Sequence, residues 1–378
     1  MDKMNLICTI PINFTPIMAK EKTDKGIETV EDKMSQNILV LGPCSAESRD
    51  QVLEVAKHVA RWYPKAIFRA GIWKPRTRPN NFEGIGEIGL DWLSEVRQTT
   101  GLRIATEVAN TKHVELCLNK GIDVLWLGAR TTVNPFYVQE IAEALKGFEG
   151  TVMVKNPVVP DINLWLGAIE RIEQVGISDV IAIHRGFHHY DSKPYRNLPQ
   201  WEIPIELMSK REDIPIVCDI SHISGNPSLF ESLAQKAMDL EMAGLHIEVH
   251  SNPKNALSDA EQQITPSELD VLLSSIEKRN PFTDNIDFIT KLEKLRSEID
   301  DIDSNLLKNF HRRMLLVRNI GEIKKQNKVT ILQVTRWKKI VSRYMDEGKA
   351  LGLSKSFLEG LLNGLHDEGM RNQNDVMN

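Results

Sequence analysis

Short apolar runs recur along the first three-quarters of the chain, and each ends in residues able to do chemistry. Ile38–Leu41 leads into Gly42-Pro43-Cys44-Ser45, and Ala66–Phe68 into Arg69 and Lys74. Arg103–Ala105 precedes Thr106-Glu107, and Val124–Leu127 precedes Gly128-Ala129-Arg130. Val152–Val154 leads to Lys155, Val180–Ile183 to His184-Arg185, Ile216–Cys218 to Asp219 and His222, and Leu245–Ile247 to Glu248. Amphipathic stretches of helical length separate most of these eight runs. Buried parallel strands alternating with helices predict an α/β architecture, a (β/α)₈ TIM barrel over residues 37–279. In that fold the strand ends share one mouth, so Cys, Arg, Lys, Glu, His and Asp side chains are expected to converge there.

After Arg279 the pattern changes. Arg279-Asn280-Pro281-Phe282-Thr283-Asp284-Asn285 reads as a linker over 280–285, with Pro281 stopping the last barrel helix, which Thr265-Pro266-Ser267-Glu268 starts. Ile289, Leu292, Leu295, Ile299, Ile302, Leu306, Phe310, Val317 and Ile320 then follow helical steps, predicting an amphipathic helix of ~40 residues. Trp337–Glu347 and Ser356–Asn372 read as two further helices, giving an all-α three-helix domain over residues 286–373 and a tail over 374–378. One helix near 60 Å long cannot bury its apolar stripe within such a small unit. A homodimer through a helical bundle is therefore expected. Residues 1–36 read as an N-terminal arm, too short for a regulatory domain.

A hydrophobic content of 41% and a net charge of −5 describe a mildly acidic globular protein. No Lys/Arg run marks a nucleic-acid face, and no stretch approaches the ~18–20 apolar residues of a membrane helix. Cys8, Cys44, Cys117 and Cys218 lack CxxC spacing, as expected of reduced thiols in a cytoplasmic protein.

Composition leaves small anions as the natural ligands. Lys74-Pro75-Arg76-Thr77 packs two cations and a hydroxyl into one loop that Pro75 and Pro79 stiffen, as a phosphate clamp requires. Arg69, Arg130, Lys155 and Arg185 add cations from four strand ends. Six cations in one mouth would repel unless phosphorylated ligands balanced them. Cys44, His222, Glu248 and Asp259 lie at or beyond strand ends and could hold a divalent transition ion. By type alone they also suit a buried thiol, a satisfied histidine and solvated acids.

Gly42-Pro43-Cys44-Ser45, Lys74-Pro75-Arg76-Thr77, Gly128-Ala129-Arg130, Asp219-Ile220-Ser221-His222 and Ile247-Glu248-Val249-His250 occur in order. With Ala256-Leu257-Ser258-Asp259 and Gln262-Gln263 they resemble the 3-deoxy-D-arabino-heptulosonate 7-phosphate (DAHP) synthases of the type I beta subgroup, over about residues 37–279. That subgroup is shared with KDO 8-phosphate synthases, whose corresponding loop differs from Lys-Pro-Arg-Thr. The resemblance implies condensation of phosphoenolpyruvate with erythrose 4-phosphate, the first shikimate-pathway step. It implies Cys44, His222, Glu248 and Asp259 as ligands of a divalent metal, Mn²⁺ before Fe²⁺, Co²⁺ or Zn²⁺. Arg130, Lys155 and Arg185, helped by Lys74 and Arg69, would hold phosphoenolpyruvate, and Arg76 and Thr77 the erythrose 4-phosphate phosphate. Lys74 or the Cys44–His222 region would move protons. Rival readings use Lys155 as a Schiff-base amine, make the barrel a metabolite-binding regulator, or pair a KDO 8-phosphate-type synthase with a non-catalytic helical sensor.

The pattern Leu295-Arg296-Ser297-Glu298-Ile299-Asp300-Asp301-Ile302-Asp303, continued by Arg312-Arg313-Met314, Gly321, Lys324 and Gln373, resembles the all-helical chorismate mutases. It implies chorismate-to-prephenate rearrangement with Arg296, Arg313, Lys324 and Gln373 around the substrate. Arg296 and Arg313 are 17 residues apart, ~25 Å along a helix and on different faces, so one chain cannot close both on one small dianion. Arg313 and Lys324 return to nearly the same face. A shared site, with Arg296 donated by the partner subunit, follows from that geometry. Gln333, Trp337 and Gly369 stand where many mutases carry acidic residues or Ser near the substrate hydroxyl. The same domain is the natural sensor for prephenate feedback.

Overall fold

The protein is described by a computed structural model covering residues 34, 36–74, 81–279 and 283–377. It divides into two compact units, Met1–Pro281 and Phe282–Asn378.

In the first unit eight parallel strands close into a barrel in sequence order. They are β1 (Ile38–Gly42), β2 (Ile67–Arg69), β3 (Arg103–Val108), β4 (Val124–Leu127), β5 (Thr151–Lys155), β6 (Val180–His184), β7 (Ile216–Asp219) and β8 (Gly244–Glu248). Closure is made by β1 against β8, with Ile38 opposite Gly244 and Gly42 opposite Glu248. Alternation along each strand builds two cores, as a sheet buried on both faces requires. Val40, Ile67, Ala105, Val124, Trp126, Met153, Ile181, Ile183 and Val217 fill the barrel, while Leu39, Leu41, Phe68 and Leu125 face the helices.

The segments between strands start helices by recognisable chemistry. Ser48, Asn110, Asn134 and Asp161 each cap a helix by accepting backbone N–H bonds. Thr265 and Glu268 form the reciprocal capping box anticipated at the last barrel helix, Pro266–Ser275. Gly42 lies at φ +147°, and a Cβ there would sit 2.1 Å from the Arg69 carbonyl oxygen. Only glycine lets β1 pass that close to β2 before turning into Pro43-Cys44.

Two sequence expectations shift. β3 runs on through Thr106 and Glu107 to Val108, because its pairing with β4 continues to Leu127 and the Trp126 indole N–H donates to Glu107 at 3.3 Å. The last barrel helix ends at Ser275, well short of Pro281, so the proline does not stop it. Instead Ile276–Arg279 leaves the helix and lies along the helix Phe230–Asp239. Glu277 N–H donates to Gln235 at 2.8 Å, and Arg279 reaches Asp239 at 2.6 Å. The N-terminal arm lies outside the described residues apart from positions 34 and 36.

The second unit contains helices Ile286–Gln326, Val334–Ala350 and Lys355–Met377, the first packing against the third. Asn285 caps the 41-residue first helix, and Gly321 is its one buried residue. Leu295, Ile299 and Ile302 of its apolar stripe are each more than half exposed. Among the described residues, no helix is long and apolar enough to cross a membrane.

Candidate active sites

At the barrel mouth the strand ends deliver an interlocked set of charges. Arg69, the last residue of β2, is buried; its Nη1 donates to Glu248 Oε1 and its Nη2 to the Cys44 carbonyl, both at 2.8 Å. Lys155, ending β5, donates to Asp219 Oδ2 at 2.8 Å. Both cations face the Trp126 ring inside the barrel, Arg69 at 4.9 Å and Lys155 at 5.9 Å from its centroid. Arg69 and Lys155 are therefore balanced by buried carboxylates. Two of the six cations that the sequence places at the mouth are thus already neutralised within the protein.

The four candidate metal ligands come from loops and strand ends that meet here. Cys44 Sγ is 3.3 Å from Asp259 Oδ2, and Lys74 Nζ is 3.2 Å from the same sulfur. His222 Nδ1 is 2.9 Å from Asp219 Oδ2 and 3.9 Å from Glu248 Oε1, yet it is buried without a hydrogen bond. Among the described residues no three His, Cys, Asp or Glu side chains surround one point at coordination distance. The donor set nonetheless suits a divalent transition ion: a thiol, an imidazole with an unsatisfied nitrogen and two carboxylates.

Electrostatics agree with that chemistry. Burial, reinforced by Glu248, pushes the Cys44 thiol up to about 12, so it is a neutral donor that a cation would deprotonate. Burial also lowers the His222 pKa, keeping a neutral imidazole. Burial alone would raise Glu248, but the imidazolium form of His222 and the charges of Arg69 and Lys74 overcome it and hold the carboxyl below its usual range. Asp219 is likewise held below its usual range against its own burial, by the protonated forms of His222 and His246 and by the permanent charge of Lys155.

The remaining anion-binding candidates lie nearby. Arg185 follows β6; its backbone N–H donates to Asn156 at 2.6 Å and its Nη1 to Asn197 Oδ1 at 2.8 Å. Burial lowers its pKa to about 10, which leaves it cationic at neutral pH. Arg130 is exposed in the first turn of the short helix Ala129–Thr132. Arg76 and Thr77 lie outside the described residues.

In the helical unit, Arg313, Lys324 and Gln373 line one cavity of about 280 Å³, together with Gln333, Trp337 and Gly369. Lys324 Nζ donates to Gln373 Oε1 at 3.1 Å and also reaches the Ile331 carbonyl. Arg313 donates to the Leu365 carbonyl at 3.2 Å. The cavity lining includes no Asp or Glu but gains Arg336, so its three cations have no lining carboxylate. Arg296 does not line it; it is exposed and pairs with Glu293 at 2.7 Å.

Residues 17–282 match the family model of the DAHP synthetase I family. The chain belongs to that family. Residues 295–374 match the model of chorismate mutase type II. A phospho-2-dehydro-3-deoxyheptonate aldolase of Thermotoga maritima is 29% identical over 226 residues, 60% of this chain and 64% of the relative. The chain thus spans less than two thirds of that relative's length. A 2-dehydro-3-deoxyphosphooctonate aldolase of Rickettsia prowazekii is 26% identical over 66% of this chain and 94% of its own. A solved DAHP synthase structure from Thermotoga maritima superposes with a TM-score of 0.57 at 28% identity, covering 63% of this chain and 67% of that one. A truncated form from the same organism gives 0.55 at 25% identity, covering 63% and 84%.

Several residues that hold the barrel-mouth site and the helical cavity together have no role legible in the sequence. Asp219 and Gln262 sit inside the Asp-Ile-Ser-His and Gln-Gln motifs, where their positions are legible from sequence and their contacts are not. Arg196, Asn197 and Arg336 carry no signal that separates them from surface polar residues. One test of the buried pairing is Lys155→Met. It leaves Asp219 charged and fully buried beside two neutral imidazoles, and should cost about 3–5 kcal/mol in chemical denaturation. An unchanged midpoint would show that Asp219 finds another partner.

Proposed function

We propose that the barrel condenses phosphoenolpyruvate with erythrose 4-phosphate to DAHP and phosphate, and that the helical unit rearranges chorismate to prephenate. The observation that carries the first half is the convergence of Cys44, His222, Glu248 and Asp259 with Lys74, Arg130, Lys155 and Arg185 at one barrel mouth. The Lys74-Pro75-Arg76-Thr77 sequence favours this reaction over the octonate relative's.

Arg130, Lys155 and Arg185 pin the carboxylate and phosphate of phosphoenolpyruvate, while Arg76 and Thr77 hold the phosphate of the second substrate. C3 of phosphoenolpyruvate attacks the aldehyde carbon, water adds at C2, and phosphate departs with C–O cleavage. Lys74, 3.2 Å from Cys44 Sγ, is placed to move a proton at the developing alkoxide. Cys44, His222, Glu248 and Asp259 would hold a divalent ion, Mn²⁺ foremost; bound there, it supplies Lewis acidity toward the aldehyde oxygen. Lys155 is engaged by Asp219 at 2.8 Å, which disfavours the Schiff-base rival.

The rearrangement needs no nucleophile. Arg313 and the partner subunit's Arg296 clamp the two carboxylates, and Lys324 with Gln373 stabilises charge on the breaking ether oxygen. Phosphate release dependent on both substrates, and loss of chorismate absorbance, test the two halves separately. Release without erythrose 4-phosphate would count against the condensation.

The cation-lined cavity also suits prephenate as a feedback signal, with the helical unit as sensor. Typical coupling of 1–3 kcal/mol would change synthase activity about 5–150-fold. Cleaving the chain near Pro281 should leave a barrel that resists prephenate. A separated barrel as sensitive as the intact chain would place the sensor elsewhere.

A further inference from the structure

We infer that Gln262, held by Arg196, is a positioning residue that fixes the carboxylates of Glu248 and Asp259 relative to each other. The inference rests on the reading of those carboxylates as metal ligands. Gln262 is buried, and its two amide ends face opposite demands. Nε2 donates to Glu248 Oε2 at 2.6 Å, while Oε1 accepts from Arg196 Nη1. The same Arg196 nitrogen reaches Asp259 Oδ1 at 3.1 Å. One guanidinium and one amide thus bridge the two acids, and the amide orientation is fixed because only its nitrogen can donate to a carboxylate.

Arg196 is itself anchored to the segment that carries His222. Its backbone N–H donates to the Ile223 carbonyl at 3.0 Å, and Asn197 Nδ2 donates to the His222 carbonyl at 2.6 Å. Asn197 Oδ1 also receives Arg185 Nη1. The Arg196-Asn197 pair therefore ties three candidate ligands to a candidate phosphoenolpyruvate cation.

The constraint has something to work against. Asp259 sits at φ +48°, a left-handed conformation that non-glycine residues adopt only when their surroundings hold them there. Glu248 Oε1 is already taken by Arg69, so Gln262 supplies the donor that fixes its other oxygen. Arg196 alone would be a weak anchor, because its side chain is 45% exposed and an exposed ion pair contributes little. The buried amide makes the arrangement stiff. Partners of metal ligands typically contribute 10–100-fold to metal affinity.

Co²⁺ titration of the full-length protein, stripped of metal, tests this through the thiolate-to-cobalt absorption of Cys44. Gln262→Met keeps the volume and removes both hydrogen bonds. It should weaken the apparent Kd for Co²⁺ about 10–100-fold and alter the band, while circular dichroism stays native. Arg196→Met should weaken binding in the same direction, with Arg196→Lys recovering part of the loss. Native affinity and spectrum in Gln262→Met would overturn the inference. If that variant fails to fold, native Co²⁺ affinity in Arg196→Met overturns it instead. A wild-type protein that binds no Co²⁺ would remove the metal reading itself, a different result from unaltered variants of a binding wild type.

Discussion

Removal of divalent cations by a chelator is expected to abolish phosphate release from phosphoenolpyruvate and erythrose 4-phosphate, and Mn²⁺ is expected to restore it. Cys44→Ala should lose about 10³-fold in kcat/KM, equivalent to ~4 kcal/mol of transition-state stabilisation. The reason lies in how Cys44 is held. It is wholly buried, its backbone N–H donates to Gln263 at 2.9 Å, and its sulfur lies 3.3 Å from Asp259. Burial and the nearby acids raise its thiol to about 12, so at neutral pH it is protonated, and a bound cation would take that proton's place. Alanine removes the sulfur without disturbing the backbone bond, so loss of activity with native thermal stability would isolate the role of the donor. Full turnover in protein verified to be metal-free would exclude this role for the four residues.

Much of the barrel was readable because its physics is local. Strands buried on both faces are continuous apolar runs, and each ran directly into the chemistry at its end, as at Val152–Lys155 and Ile216–Asp219. Local reading misplaced the end of β3, because the continuation through Glu107 depends on pairing with β4 and on the Trp126 indole. It also credited Pro281 with ending a helix that stops at Ser275, where contacts with Gln235 and Asp239, distant in sequence, take over. The site divides the same way. Motif residues such as Cys44, Glu248 and Lys155 could be named from sequence. Which cation is balanced by which acid could not, since Arg69–Glu248 and Lys155–Asp219 pair across 179 and 64 positions. Arg196 shows the limit most clearly: its importance lies in reaching Gln262 and Asp259, and nothing in its neighbourhood along the chain announces that.

In the helical unit, homodimers of Arg296→Ala and of Arg313→Ala are each expected to lose about 10²–10³-fold in mutase activity, the usual cost of deleting a charged group that stabilises the transition state. Synthase activity should persist in both. Arg313 lines the cavity with Lys324 and Gln373, whereas Arg296 lies elsewhere on the same long helix and does not line it. The exposed Leu295, Ile299 and Ile302 around Arg296 form the stripe that a second copy would cover, bringing that arginine to the partner's cavity. In a mixed dimer one cavity then carries both substitutions and the other carries neither. Random exchange makes half the dimers mixed, so about one quarter of the wild-type sites should reappear. Mixing two inactive proteins should therefore recover roughly a quarter of wild-type mutase activity after subunit exchange. Exchange is verified independently with differently tagged chains. If tagged chains exchange and no activity returns, Arg296 and Arg313 do not meet across subunits, and the cavity must bind its dianion with Arg313 and Arg336 from a single chain.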